Sequence, residues 1–447
     1  MRIDHYAYSS QAALLATQGV FYPPDPKLQN DFGLKDHPLL FRWMVAGVYK
    51  IFGISEYTSK VLSSIMGCSL ILMIFAFGTY FFSKWMGFLS GLFLLISPRF
   101  MIYSSLCLLD IPLIFFTTAA IFLGIWAAHR HYKLFYLSGT CIGLALLTKG
   151  PFGLLPFAVI GFYVLLYNRQ SLKSSHFWTG MCLMPFLLIC TYTLIVSSYD
   201  PNTSFFSFWR TKGSGPYNDG PLFYLNVLLK RYMYLLPFAA ISFYFYKKQS
   251  ATQKSILITS VVWCAAVLLP LSIAESKKQG YYLFPLNPAL ALMCGIACDY
   301  LLKESLKKIF GYGSLVVSLG LAFIFSCTPF TLFKSKVLRD QSHFKQYADL
   351  KWTVQKIISQ SPPPFYYERG MRYVLNFHFS KEYKDGKFQD ITDDLLTTMK
   401  QSSDPQFLLI NKQSFHGDLA KLFIVHEMRD LMIVSNKAYE KNIGVGF

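Results

Sequence analysis

Ten apolar stretches, near 62–82, 86–103, 107–128, 134–148, 151–167, 177–198, 224–246, 255–274, 281–302 and 309–329, run through the first three quarters of the chain. They predict membrane-spanning helices, because in lipid each backbone group must find its partner within its own segment. Charged residues make up 15% of the 447 residues, against roughly a quarter in soluble domains. The loops between the stretches alternate in character. One set is short and basic: Lys84; Arg130 and Lys133; Arg169 and Lys173; Lys247, Lys248 and Lys254; Lys303, Lys307 and Lys308. By the positive-inside bias these loops mark the cytoplasmic side. Residues 1–60, 99–106, the turn at 149–150, 199–223, 275–280 and the tail from 331 then face outward. The formal net charge of +18 sits largely in these loops. Membrane orientation accounts for it, and no nucleic-acid partner is expected.

One run tests this topology. Residues 134–167 carry a single charged side chain, Lys149, which would be costly at mid-membrane depth. Gly150-Pro151 stops one helix and starts another. A single long span would put the basic loop 247–254 outside, so the run reads as two helices meeting at the outer surface.

Three parts follow: 1–60, an outer first loop with interfacial helices; 61–330, the transmembrane domain; and 331–447, a soluble tail. Pro23, Pro24 and Pro26 break structure, and an amphipathic helix resumes after Pro38. The tail holds 17 Lys+Arg and 13 Asp+Glu, an ordinary soluble balance, and its runs 406–411 and 422–427 read as strands of a small α/β domain. All nine cysteines lie in or beside apolar segments, which favours packing over a disulfide framework or a zinc cluster.

Cations on the outer side run against the topological bias. Arg99, Lys149, Arg210, Lys212, Lys277 and Lys278 map there, and several converging from different loops fit a polyanionic ligand such as a lipid phosphate. Two carboxylates fall inside apolar spans. Asp299 is expected to pair with the lysines that follow it, and Asp110 marks the outer end of its span. Tyr281 and Tyr282 read as an interfacial aromatic belt.

Six stretches in order then resemble one family: "DHYAY", "DHPLLFRWMVAGVYKIFG", "SPRFMIYSSLCLLDIPLIFF", "LALLTKGPFGLLP", "GPLFYLNVLLKRYMYLLPF" and "SKKQGYYLFPLNPALAL". Over most of 1–330 the chain is similar to the polyprenyl-phosphate-sugar glycosyltransferases of the GT-C superfamily, specifically to bacterial aminoarabinose transferases and their protein-mannosyltransferase-like relatives. The resemblance implies a multi-pass protein of the bacterial inner membrane, with active site and tail facing the periplasm. It implies Asp4 as general base or metal-supporting acid and Asp110 as a second active-site carboxylate. His37, Lys149, Lys277 and Lys278 would contact the donor phosphate, joined by the outer cations Arg99 and Arg210. Leu39 stands where the family has a second proline. The family also has a transmembrane helix before the first-loop Asp, so an N-terminal helix is expected upstream of Met1.

The implied partners are the bilayer, a polyprenyl-phosphate-linked sugar donor, and a lipid A, glycan or protein acceptor. A divalent metal is a candidate cofactor. The implied reaction is sugar transfer with inversion, a carboxylate activating the acceptor hydroxyl while cations stabilise the leaving phosphate. Two other readings remain open: a transporter or flippase of lipid-linked sugars, and an inactive truncated homologue.

Overall fold

The computed structural model describes residues 2–23, 37–201, 205, 220, 222–273 and 278–307, and in the tail 354, 357, 365–367, 388–390, 399, 401–402, 406–411, 422–427 and 431–436. The chain divides into two compact units, Met1–Leu14 with Phe333–Phe447, and Leu15–Leu332. The expected first loop, 1–60, is therefore split between them at Leu14.

In the first unit, β1 (Phe365–Tyr367), β2 (Phe388–Asp390), β3 (Phe407–Asn411), β4 (Phe423–Glu427) and β5 (Leu431–Ser435) form one sheet in the order β2-β1-β3-β5-β4. The first three are parallel, and β5 runs antiparallel to both β3 and β4. Tyr366, Leu408, Ile410, Met432 and Val434 form a buried core. The expected strands at 406–411 and 422–427 are β3 and β4. The three-residue strands β1 and β2 are too short for an alternating pattern to reveal.

The second unit is a helical bundle. After helix α1 (Arg2–Gln18), which begins in the first unit, it comprises α2 (Leu40–Phe52), α3 (Glu56–Phe81), α4 (Lys84–Leu95), α5 (Pro98–Ser104), α6 (Asp110–His129), α7 (Leu134–Lys149), α8 (Leu155–Tyr167), α9 (Ser175–Ser197), α10 (Phe223–Tyr232), α11 (Leu236–Tyr244), α12 (Ala251–Ile273) and α13 (Asn287–Lys307). Among the described residues six helical runs are long and apolar enough to cross a membrane, or seven if α4 and α5, bent by 72°, count as one broken span.

One of the six is the 34-residue run 134–167, and its contacts show that it folds back on itself. Along α7, Ser138 Oγ donates to Ala120 O at 2.8 Å and Lys149 Nζ reaches Asp110 at 2.6 Å, so α7 climbs antiparallel to α6. Along α8, Ile160 packs where a side chain on Gly124 would stand, Tyr163 bonds His129, and Asn168 Nδ2 donates to Ala128 O at 2.5 Å. The chain therefore turns back at Gly150 and runs parallel to α6. α9 crosses α7 backbone to backbone, because a Cβ on Gly139 would stand 1.7 Å from Gly180 O. Close approach through glycine is how membrane helices gain packing without a hydrophobic driving force.

Two expected spans differ. Residues 224–246 are not one helix. α10 lies along the turn 279–286, with Tyr224 Oη accepting from Gln279 N at 3.2 Å and Tyr232 Oη donating to Leu283 O at 3.3 Å. Lys230 and Arg231 keep α10 out of the apolar layer, and Pro237 starts α11 separately. The span expected at 309–329 lies outside the described residues.

The basic loops gather at one end of the bundle. There Arg130 Nε donates to Tyr80 Oη at 2.6 Å, Gln253 Nε2 to Phe81 O at 3.3 Å, and Ser83 Oγ to Asp299 at 2.8 Å. Asp299 also pairs with Lys303 at 2.5 Å, as expected. Lys149 lies at the opposite end.

Candidate functional site

α6 opens on Asp110, with Pro112 in its first turn, and α7 closes on Lys149. Each charge suits its helix end, a carboxylate at an N-terminus and an ammonium at a C-terminus. After Lys149 the backbone takes φ 63°, ψ −129° at Gly150, a conformation that side chains resist. The short 3-10 turn Gly150–Leu154 then folds back onto α7, since a Cβ on Gly153 would stand 2.4 Å from Leu146 N.

The result is a buried ion pair. Lys149 and Asp110 are 7% and 8% exposed, with Nζ 2.6 Å from Oδ1. The ring centroids of Phe152, Tyr281 and Tyr282 lie 5.6, 5.3 and 5.5 Å from the same Nζ. Desolvating an ion pair is costly, and the ring faces return part of that cost to the ammonium. Tyr281 and Tyr282, expected in an interfacial belt, thus enclose Lys149, because the 3-10 turn Gly280–Leu286 carries them onto the end of α7.

Beside this pair is a group of cations. Arg99, half-buried at the start of α5, and Asp110 both act on Tyr103, whose ring is tilted by 32° against that of Phe284 at a centroid distance of 4.7 Å. Arg231 comes from α10, and its guanidinium lies where a side chain on Gly280 would stand, 2.0 Å from that Cβ position. Arg231 is exposed overall. Partial withdrawal from water first, and the charge of Arg99 second, pull its pKa down. Among the described residues neither Arg99 nor Arg231 has a carboxylate within ion-pair distance. Two neighbouring guanidiniums without a counter-charge are poised to take an anion. Arg231 was not among the expected site residues, since its stretch read as the interior of a span.

The remaining candidates fall differently. Lys278 is 9% exposed and donates to the carbonyls of Gly220 at 3.0 Å and Ser272 at 3.2 Å, tying the end of α12 to the approach to α10. His37 is half-buried just before α2, and its carbonyl accepts from Arg42 Nη1 at 2.6 Å. Asp4, expected without a supporting helix, sits exposed in the first turn of α1, within the first unit. Lys277, Arg210 and Lys212 lie outside the described residues. Among the described residues no three His, Cys, Asp or Glu side chains converge as metal ligands. At Asp110 the ammonium of Lys149 already holds Oδ1, so that carboxylate does not fit a cation site.

Comparison with known proteins follows the same lines. Residues 36–195, which hold His37, Arg99, Asp110 and Lys149, match the family described as Dolichyl-phosphate-mannose-protein mannosyltransferase. A protein of Aquifex aeolicus (strain VF5) is 29% identical over 345 residues, covering 73% of this chain, and a second from the same organism is 28% identical over 300 residues, covering 65%. The alignments span 66% of the length of each of these relatives. The crystal structure of ArnT from Cupriavidus metallidurans bound to undecaprenyl phosphate superposes with a TM-score of 0.68 at 15% identity, over 97% of this chain and 94% of that one. The Archaeoglobus fulgidus oligosaccharyltransferase in the apo form gives 0.51 at 13% identity, over 84% and 60%. Together these define the class: the chain has the GT-C glycosyltransferase fold. Its fold is similar to that of ArnT, mostly helical with several candidate membrane spans and a small C-terminal sheet.

Proposed function

We propose that this chain is a membrane glycosyltransferase that takes a sugar from a polyprenyl-phosphate donor and passes it, with inversion, to a hydroxyl of an envelope acceptor: lipid A, another glycan or a protein. The observation that carries the reading is the pair of guanidiniums, Arg99 and Arg231, that have no carboxylate partner among the described residues and stand beside the buried Asp110–Lys149 pair. ArnT supplies the chemical precedent, since its structure holds undecaprenyl phosphate.

In this reading Arg99 and Arg231 hold the donor phosphate and stabilise the charge that grows on it as the sugar leaves. Lys149 keeps two N–H donors beyond the one on Asp110, and these reach the same phosphate. Asp110 Oδ2, without a hydrogen bond among the described residues, accepts from a sugar or acceptor hydroxyl. His37 serves as a further phosphate contact, and Lys277 and Arg210 as cations of the same loops. Lys278, spent on two carbonyls, shapes the loop instead. The base role that the resemblance gives Asp4 is tested alongside. The basic loops lie in the cytoplasm, and the Lys149 end faces the periplasm across the inner membrane.

The test uses the full chain in nanodiscs with a radiolabelled sugar on undecaprenyl phosphate and a lipid A acceptor. Transfer is expected, with large losses in Asp110→Asn, Asp4→Asn and Arg231→Ala. Undiminished transfer in Asp110→Asn and Arg231→Ala contradicts the site. In sealed vesicles, movement of the donor across the bilayer without sugar transfer points to a transporter.

A further inference from the structure

Helix starts leave backbone N–H groups that need acceptors, and the usual remedy is a polar N-cap side chain. The N-cap of α2 is Leu39, which supplies none and is itself fully buried. Its N–H, closed off from water, donates to Tyr192 Oη at 3.1 Å, across 153 positions of sequence. The two residues before it are held by Arg42, whose side chain is 0% exposed and whose Nη1 donates to His37 O at 2.6 Å and Pro38 O at 3.4 Å. Trp43 strengthens the same corner, its ring 5.3 Å from that of Tyr192 and its Nε1 donating to Phe21 O at 2.8 Å.

Tyr192 also sets the height of this corner. Along α9, Gly180 packs against Phe135 and Gly139 of α7, and Pro185 and Leu188 pack against Gly143. One turn further on each helix brings Tyr192 level with Leu147 to Lys149. A buried guanidinium and a long-range hydroxyl are costly ways to hold three loop residues, and they hold them at the level of the buried ion pair.

We infer that Arg42 and Tyr192 are positioning residues that fix His37 at the height of Lys149 and act on donor-phosphate binding through it. The inference rests on the phosphate role proposed for His37. Tyr192→Phe removes one oxygen and leaves Leu39 N–H unpaired. Adding Leu39→Pro then removes that N–H and presets φ near −65°, close to the −91° observed.

The experiment measures hydrogen exchange of peptides covering 38–44, and undecaprenyl phosphate affinity, on the full chain in nanodiscs. Tyr192→Phe is expected to raise exchange and weaken binding by about tenfold, the scale of one unmade buried hydrogen bond. The double variant Tyr192→Phe/Leu39→Pro restores both, a rescue that a merely structural loss does not allow. Arg42→Lys, which keeps the buried charge, gives the smaller change in the same direction. Unchanged exchange in Tyr192→Phe overturns the inference. So does weakened binding in His37→Ala with normal binding in Tyr192→Phe, which leaves the phosphate role of His37 standing. Normal binding in His37→Ala removes both.

Discussion

Among the described residues two carboxylates are buried in this bundle, one at each end, and each holds a lysine. Asp299 and Lys303 are neighbours on one helix, four residues apart, and Lys303 is half exposed. Asp110 and Lys149 come from different helices, 39 residues apart, and both are buried, with three aromatic rings around the ammonium. The first pair is what any charged helix end can make locally while its lysine reaches for the surface. The second needs the whole fold: a helix start, a helix end, a glycine turn and the turn before α13. Like chemistry has therefore been used once as a membrane-surface anchor and once as a tertiary clasp, and the clasp is the one with two guanidiniums beside it that have no carboxylate partner among the described residues.

The two pairs respond differently to the same change. Lys149→Met leaves Asp110 buried without a partner and should cost about 3–5 kcal/mol, read as a fall in thermal stability of the detergent-solubilised protein. A loss no greater than that of the matching change at Lys303 would erase the distinction. Gly150→Ala forces a side chain into the φ 63° conformation that turns α7 back, at about 1–3 kcal/mol in the same assay. Tyr281→Leu opens one wall around the ammonium and should cost about 1–2 kcal/mol. Smallest of all, Lys303→Met should cost about 1 kcal/mol or less, because Lys303 is half exposed and Asp299 keeps the hydrogen bond from Ser83 Oγ.

Much of this architecture was legible one helix at a time. Charge alternation placed the turn at Lys149, and the contacts of Lys149 and Asn168 with opposite ends of α6 confirm it. Asp299 was matched to its own helix, where spacing alone suffices. Asp110 and Lys149 each stood out as an ionisable group in an apolar stretch, yet nothing local says that they meet. Arg231 was hidden because an apolar count across 224–246 averages away two adjacent cations, and only the 279–286 turn shows that α10 does not cross. Tyr281 and Tyr282 had the composition of an interfacial belt, and the position of their turn on α7 gives them another task. Lys278 read as a ligand-binding cation, and the carbonyls of Gly220 and Ser272 to which it donates are partners that no sequence pattern marks.

The most direct measurement of the central claim is undecaprenyl phosphate affinity of the full chain in nanodiscs, compared across wild type, Arg231→Ala and Lys303→Met. If the Lys149 end is the phosphate site, Arg231→Ala weakens binding by about tenfold or more, the worth of a charge-assisted hydrogen bond, while Lys303→Met binds like wild type. Equal affinity in all three, or equal losses at both ends, would contradict the account.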